Sequence, residues 1–447
     1  MASKKRLVVT CVCIMAFCPA LTMQSRRANC QPPSAGPQTS YNELLSWLRE
    51  PVDGNKLQSG KVYSYSGQAA LEPFIPQPVW PLYFYPDMSM DVARTGDYPI
   101  DKDFLEATAA NQGRVTLDPD GELHGYNGLG FPFDPKGLSP TDPQVALKVL
   151  WDFWYRPGHD DYYMPMETRL RDSAGNDGRV LQYVATEKLY IGNTGTPNGR
   201  LVPAESDVES KLWTSFEQPQ DVRDTQMIIT KYLDHRKDDD VVVFTRKERR
   251  ARRMSAAERL DPWMGTDILS EDFYGFSGQV PEWKWQYVGR RKILATMNVR
   301  TNVDWGGPHG WVPQGARWEL RDTYVLAGTP NNPADPYGRR VLFIDAQRFW
   351  VTWMLGYDHD GQLWKNYQHT LAWSNDYQPS ADSKGNPTLH YCHYEANGHA
   401  NKILHVGETM VDVKKQEATL THCYTCSYNM DSKEAAKHYS DQHLGLE

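Results

Sequence analysis

The chain has no surplus of positive charge. Its 447 residues carry 48 Lys+Arg against 56 Asp+Glu, a formal charge of −8. Nucleic-acid proteins normally show a basic excess, so that class is set aside. A mean hydropathy of −0.64 excludes a multi-span membrane protein. Catalytic signatures are also missing. There is no Gly-x-Ser-x-Gly elbow, because Gly275-Phe276-Ser277-Gly278 has the wrong spacing. No His-Glu-x-x-His helix and no glycine-rich phosphate loop occur. Asp358-x-Asp360-Gly361 lacks the remaining oxygen ligands of a calcium loop and reads as a hairpin turn. Neither an enzyme nor a bound cofactor is expected. Aromatic side chains are plentiful instead: 25 Tyr and 15 Trp help bring hydrophobic content to 40%, enough to build a core and exclude disorder.

The N-terminus reads as an export signal. Lys4, Lys5 and Arg6 precede an apolar run from Leu7 to Cys18, and Cys18-Pro19-Ala20 gives a small-residue exit. A membrane span needs about 20 unbroken apolar residues, and Pro19 breaks this run. Acylation fits neither Cys18, which bulky Phe17 precedes, nor Cys30. The expectation is a soluble exported protein. Of seven cysteines, Cys30, Cys392, Cys423 and Cys426 would remain, an even number suited to disulfides in an oxidising compartment. If 417–428 is one regular strand, Cys423 and Cys426 point to opposite faces, whereas Cys392 can meet one of them across strands. Seven of the 13 histidines lie in the last 60 residues. A weaker alternative is therefore a metal site of Cys392, Cys423, Cys426 and His393, and free or redox thiols remain a third.

Four regions follow: a signal over 1–20, a polar linker with a short helix over 21–60, one β domain over 61–430, and a C-terminal helix and tail over 431–447. Ser40 is placed to cap a helix from Tyr41 to Arg49 that Pro51 stops. Further helices are expected over Gln144–Trp154 and Ser432–His438. Strands are expected over 179–191, 225–233, 241–245, 283–299, 317–327, 339–344, 348–357, 362–373, 388–394 and 417–428. Strands in series joined by turns imply antiparallel pairing and a mainly β fold with a few helices.

On 317–327 one face carries Trp318, Leu320 and Tyr324, with Asp322 as its polar exception; the other carries Arg317, Glu319, Arg321 and Thr323. That predicts one apolar and one wet face. Trp283, Trp285 and Tyr287 also share a face. These side chains, with Phe343 and Trp353, are candidate lining for a ligand cavity; the plainer reading is an aromatic core. Arg246, Lys247, Arg249, Arg250, Arg252 and Arg253 form a basic run in an acidic chain. It is either a solvated strand end paired with nearby acids or a patch for anionic headgroups or an acidic partner.

Three segments together resemble a known family. The first is Gly128-Leu129-Gly130-Phe131-Pro132-Phe133 with Trp151-Asp152-Phe153-Trp154-Tyr155-Arg156. The second is Asp261-Pro262-Trp263-Met264-Gly265-Thr266-Asp267 with Glu271-Asp272-Phe273 and Gly278. The third is Arg317-Trp318-Glu319-Leu320-Arg321 with Tyr337-Gly338-Arg339-Arg340 and Tyr357-Asp358. The chain resembles, over roughly residues 75 to 375, a Gram-negative family of unknown function labelled outer-membrane lipoprotein-sorting-like. The resemblance implies a fold like LolA and LolB: a strongly curved antiparallel sheet forming an incomplete barrel, with helices on its concave face. It also implies a carrier of a lipid or lipidated cargo, with peripheral membrane contact. A structural adaptor of a hydrophobe exporter of the resistance-nodulation-division (RND) type is the alternative. A metal or thiol protein using the C-terminal His/Cys group is the third.

Overall fold

Ser40 caps the first helix, α1 (Tyr41–Arg49), through a reciprocal box: Glu43 N donates to Ser40 Oγ at 3.3 Å and Ser40 N to Glu43 Oε2 at 2.6 Å. In this computed structural model residues 39–158, 161–191, 206–301, 304–376, 401–423, 427–428 and 444 are described. The single turns α2 (Gln68–Leu71) and α3 (Trp80–Tyr83) follow, with strands β1 (Lys61–Ser64) and β2 (Ser89–Val92). Next come α4 (Lys102–Asn111), a two-residue ribbon of β3 (Thr116–Leu117) and β4 (Leu123–His124), and α5 (Val145–Trp154).

Two antiparallel meanders make the body. One is β5 (Asp161–Asp172), β6 (Asp177–Leu189), β7 (Val208–Gln218), β8 (Gln226–Tyr232), β9 (Asp240–Thr245) and β10 (Arg250–Arg253), paired in that order. After β11 (Trp283–Ala295) and a small ribbon of β12 (Asp304–Gly306) and β13 (Val312–Gln314), the second runs through five strands. These are β14 (Arg317–Pro330), β15 (Arg339–Asp345), β16 (Val351–Tyr357), β17 (Leu363–Trp373) and β18 (Ile403–Asp412). It continues through β19 (Glu417–Cys423), which pairs with β5 and joins the meanders; β20 (Ser427–Tyr428) pairs further along β5. β11 flanks β14, and β2 pairs parallel to β14 at Arg317 and Trp318. Among the described residues the two ends do not pair, so the sheet is an incomplete barrel.

The antiparallel, mainly β expectation holds, and Asp358 makes the expected turn: Gly361 N donates to its carbonyl at 3.1 Å and Gln362 N to its carboxylate at 2.8 Å. Of the expected strand 417–428, β19 and β20 are strand, and 424–426 lie outside the described residues. Positions 388–394 and 432–438 lie outside the described residues. The expected wet face of β14 is buried, with Glu319, Arg321 and Thr323 at most 3% exposed. A second layer covers it. Arg321 Nε donates to Asp345 at 2.7 Å, Arg321 Nη1 to the Gly96 carbonyl at 2.8 Å, and the Tyr98 hydroxyl to Glu319 at 2.6 Å. Along β14, Trp318 and Leu320 pack with α1 while Tyr324 packs with α5. Alternation foresaw neither this split nor the partners from 93–98 that satisfy Glu319 and Arg321.

Candidate functional site

The first meander presents one face of alternating residues: Tyr162, Met164 and Met166 on β5, Tyr183, Ala185 and Glu187 on β6, Leu212 and Thr214 on β7, and Met227, Ile229 and Lys231 on β8. Register places Met164, Ala185, Thr214 and Met227 in one row across four strands. Small Ala185 and Thr214 in the middle of that row leave space that larger side chains would fill. Opposite them lies an irregular segment from Met254 to Gln279, contributing Trp263, Phe273 and Tyr274. Between sheet and segment run three adjoining cavities of about 160, 100 and 190 Å³, neighbours sharing walls that include Lys231 or Ile229. Each alone is smaller than the roughly 300 Å³ at the small end of ligand sites, so a ligand of that size would span the shared walls.

Buried charge holds the covering segment down. Arg340, fully buried, lies 3.3 Å from Asp272 and 3.5 Å from Glu271, and its Nη1 donates to the Glu271 carbonyl at 2.9 Å. The Tyr337 hydroxyl donates to Asp272 at 3.0 Å, and Arg259 Nε to Glu271 at 2.8 Å. The second family-like segment is thus the cover, and Tyr337 and Arg340 of the third anchor it.

Polar and charged groups interrupt the apolar wall at several points, on the sheet and on the covering segment. Glu187 shares its face with Thr214 and Lys231; burial pushes its carboxyl up, while Ser210 and Lys231 pull it down. Lys231 Nζ donates to the Ser277 carbonyl at 3.0 Å and lies 3.4 Å from Asp239. Arg156, which ends the first family-like segment, lies over Trp350 at 4.1 Å; burial lowers its pKa to about 10. His405 and Glu408 also line the cavity. Burial lowers His405 to about 4 and raises Glu408 to about 7, and burial beside His405 keeps His369 well below the usual range.

The eight aromatic and apolar candidates lie elsewhere. Trp318, Leu320, Phe343 and Trp353 pack with α1 and the N-terminal turns. Trp283, Trp285, Tyr287 and Tyr324 pack in the cluster that includes α5. None lines the three cavities. The basic run forms the turn and edge strand β10, all four of whose residues are exposed. Arg246 pairs with Asp224, Arg253 with Asp240, and Arg252 with Glu258 at 3.5 Å; Lys247, Arg249 and Arg250 are exposed beside them. Cys423 is fully buried at the end of β19, while Cys30, Cys392, His393 and Cys426 lie outside the described residues. Sequence reading did not single out Tyr162, Glu187, Lys231, His369 or Glu408, and had His405 only as one of the seven histidines near the C-terminus. A carboxylate at Glu187 after Leu181, Tyr183 and Ala185 was the available signal.

A mainly β, open-sheet protein with a covered apolar cavity is the class this architecture defines. The chain belongs to DUF1329, a family of proteins of unknown function, whose model matches residues 76–444. No curated protein matches it. Among solved structures it is similar to a domain, assigned to an outer membrane lipoprotein-sorting protein, from Vibrio parahaemolyticus. Identity there is 14% and TM-score 0.44, over 67% of this chain and 98% of that one. A DUF1329 family protein from Desulfovibrio piger is similar at 16% identity and TM-score 0.44, over 68% and 100%. A LolA superfamily protein from Nitrosomonas europaea is similar at 12% identity and TM-score 0.36, over 64% and 93%. At these values the likenesses carry no functional argument. Among the described residues no helix is long and apolar enough to cross a membrane.

Proposed function

We propose that the chain is a non-enzymatic periplasmic carrier or chaperone, exported by its N-terminal signal. Its cargo would be a lipid, a lipoprotein acyl chain or another hydrophobe moving to or at the outer membrane. The observation that carries this reading is the row Met164–Ala185–Thr214–Met227 facing Trp263 and Phe273 across open space. Each methylene moved from water into such a space contributes about 0.8 kcal/mol. The apolar wall suits a hydrophobic chain, and charged side chains along it, Glu187, Lys231, Arg259 and Glu408 among them, offer partners for polar groups of a ligand. The basic edge at β10 is assigned to anionic headgroups at the membrane surface or to an acidic partner, for which an RND-type transporter and outer-membrane proteins are candidates.

The test is mass spectrometry of organic extracts from protein purified out of the periplasm without detergent, compared with Ala185→Phe. A stoichiometric hydrophobe in the natural chain, absent from the filled variant, is the expected result. Protein free of hydrophobe under several growth conditions would overturn the carrier reading in favour of the adaptor.

A further inference from the structure

We propose that His369, His405 and Glu408 form a binding site for one divalent ion of the zinc type. The three come from adjacent strands, β17 and β18, with His369 opposite Glu408 in the register. Nε2 of His369 and Nδ1 of His405 stand 2.7 Å apart. These nitrogens and one Glu408 carboxylate oxygen all lie within 4.8 Å of one another. The residues are 0, 4 and 6% exposed. Metal–ligand bonds of 2.0–2.1 Å at tetrahedral angles put ligand atoms roughly 3.3 Å apart, so side-chain rotation alone closes the set.

The surroundings orient these atoms as ligands. His369 Nδ1 contacts the Val351 carbonyl at 3.2 Å. Donation to that carbonyl leaves the Nε2 lone pair aimed at the shared point, the arrangement that fixes a metal-bound imidazole. The Tyr367 hydroxyl donates to Glu408 Oε2 at 2.8 Å, an outer contact of the same kind on the carboxylate. A hydrogen bond between neutral imidazoles explains the 2.7 Å contact by itself. It leaves Glu408 buried, with no cationic side chain bonded to it among the described residues, and a bound ion answers that. Arg156, the cation whose field reaches both imidazoles, opposes the ion, and Glu187 offsets it. Two imidazoles and one carboxylate suit zinc, whereas magnesium and calcium take oxygen ligands. His405 and Glu408 line the cavity, so the fourth coordination position faces it, open to water or to an anionic group. The ion site stands independently of the carrier reading.

The test is calorimetric titration of zinc into the chelator-stripped full chain, with metal counted by elemental mass spectrometry after desalting. One ion per chain is expected, with affinity falling at least tenfold in His405→Gln and in Glu408→Gln and unchanged in His393→Gln. Circular dichroism establishes that the variants fold. No binding to the natural chain would overturn the proposal. So would unchanged affinity in both cavity variants, or loss confined to His393→Gln, which would place the ion in the C-terminal group. If the cavity variants do not fold, cobalt decides on the natural chain. A tetrahedral spectrum without thiolate charge transfer supports the site, and thiolate bands refute it.

Discussion

His235 is caged by two carboxylates, with Nε2 3.2 Å from Glu209 and Nδ1 3.3 Å from Glu122, under the ring of Trp151 at 4.7 Å. Trp154 Nε1 donates to the other Glu209 oxygen at 2.7 Å, which ties α5 to the first meander. Burial alone would lower this imidazole; the two carboxylates outweigh it and raise its pKa from 6.5 to about 9. A raised folded-state pKa means stability fully present below pH 6.5 and lost as pH rises through 9. Glu209, held low by His235, contributes in the opposite sense and is lost only in acid, below its unfolded value of 4.5. The expected outcome is a fall of about 3 kcal/mol in unfolding free energy between pH 6.5 and 9. His235→Gln flattens that slope, and chemical denaturation at several pH values checks it. None of this was legible in the sequence, because Glu122, Glu209 and His235 sit far apart along it and meet only through the sheet. Ser40 and Glu43 could be paired on sight because a capping box is local.

At the scale of elements, sequence reading recovered β6, β8, β9, β11, β14, β15, β16, β17 and β19. It left out β5, β7 and β18 among the long strands, β5 because its composition argues against it. β5 carries Pro165 in its interior, which ordinarily demotes a strand. Here Pro165 lies opposite Val184 of β6, between Met166, paired to β19, and Tyr163, paired to β20. That missed strand supplies the first row of the cavity. The covering segment was noticed through its residue pattern, but its attachment was not, since Arg340 and Glu271 are joined only in three dimensions. Removing one partner of a buried pair leaves an uncompensated charge. Arg340→Met is therefore expected to cost about 3–5 kcal/mol. Hydrogen exchange should show added opening confined to 254–279 when measured below the unfolding transition. Gly275 tests the same element sterically: its φ is +87°, and a Cβ there would stand 2.4 Å from Val351 Cγ1. Gly275→Ala is expected to destabilise by about 1–3 kcal/mol. The basic strand β10 is an exposed edge, and its like charges hinder pairing with another chain. A role on anionic lipid predicts vesicle binding that weakens with salt and with charge reversal at Arg250 and Arg252; flotation assays read it.

On the carrier reading, the whole molecule divides its sheet between two tasks. In the second meander, large rings meet across both faces: Trp318 stacks on Trp353 at 6.1 Å, Tyr83 meets Trp353 at 5.1 Å, and Tyr324 lies on Phe349 at 5.7 Å. In the first, the corresponding face has alanine and threonine at its centre and a segment in place of a second packed layer. An aromatic stripe and a cavity wall look alike in sequence because both need apolar residues at period two. What separates them is the volume of the partners brought opposite, which no single strand encodes. The two halves should therefore respond oppositely to substitution. Trp353→Ala removes a fully buried ring and is expected to lower stability by about 3–5 kcal/mol. Hydrophobe content per folded molecule should stay unchanged. Ala185→Phe adds volume into open space; its stability should stay within about 1 kcal/mol while bound hydrophobe is lost. Thermal unfolding and extract mass spectrometry on the same preparations measure both quantities. Loss of hydrophobe with Trp353→Ala and retention with Ala185→Phe would place the ligand in the second meander and refute the division.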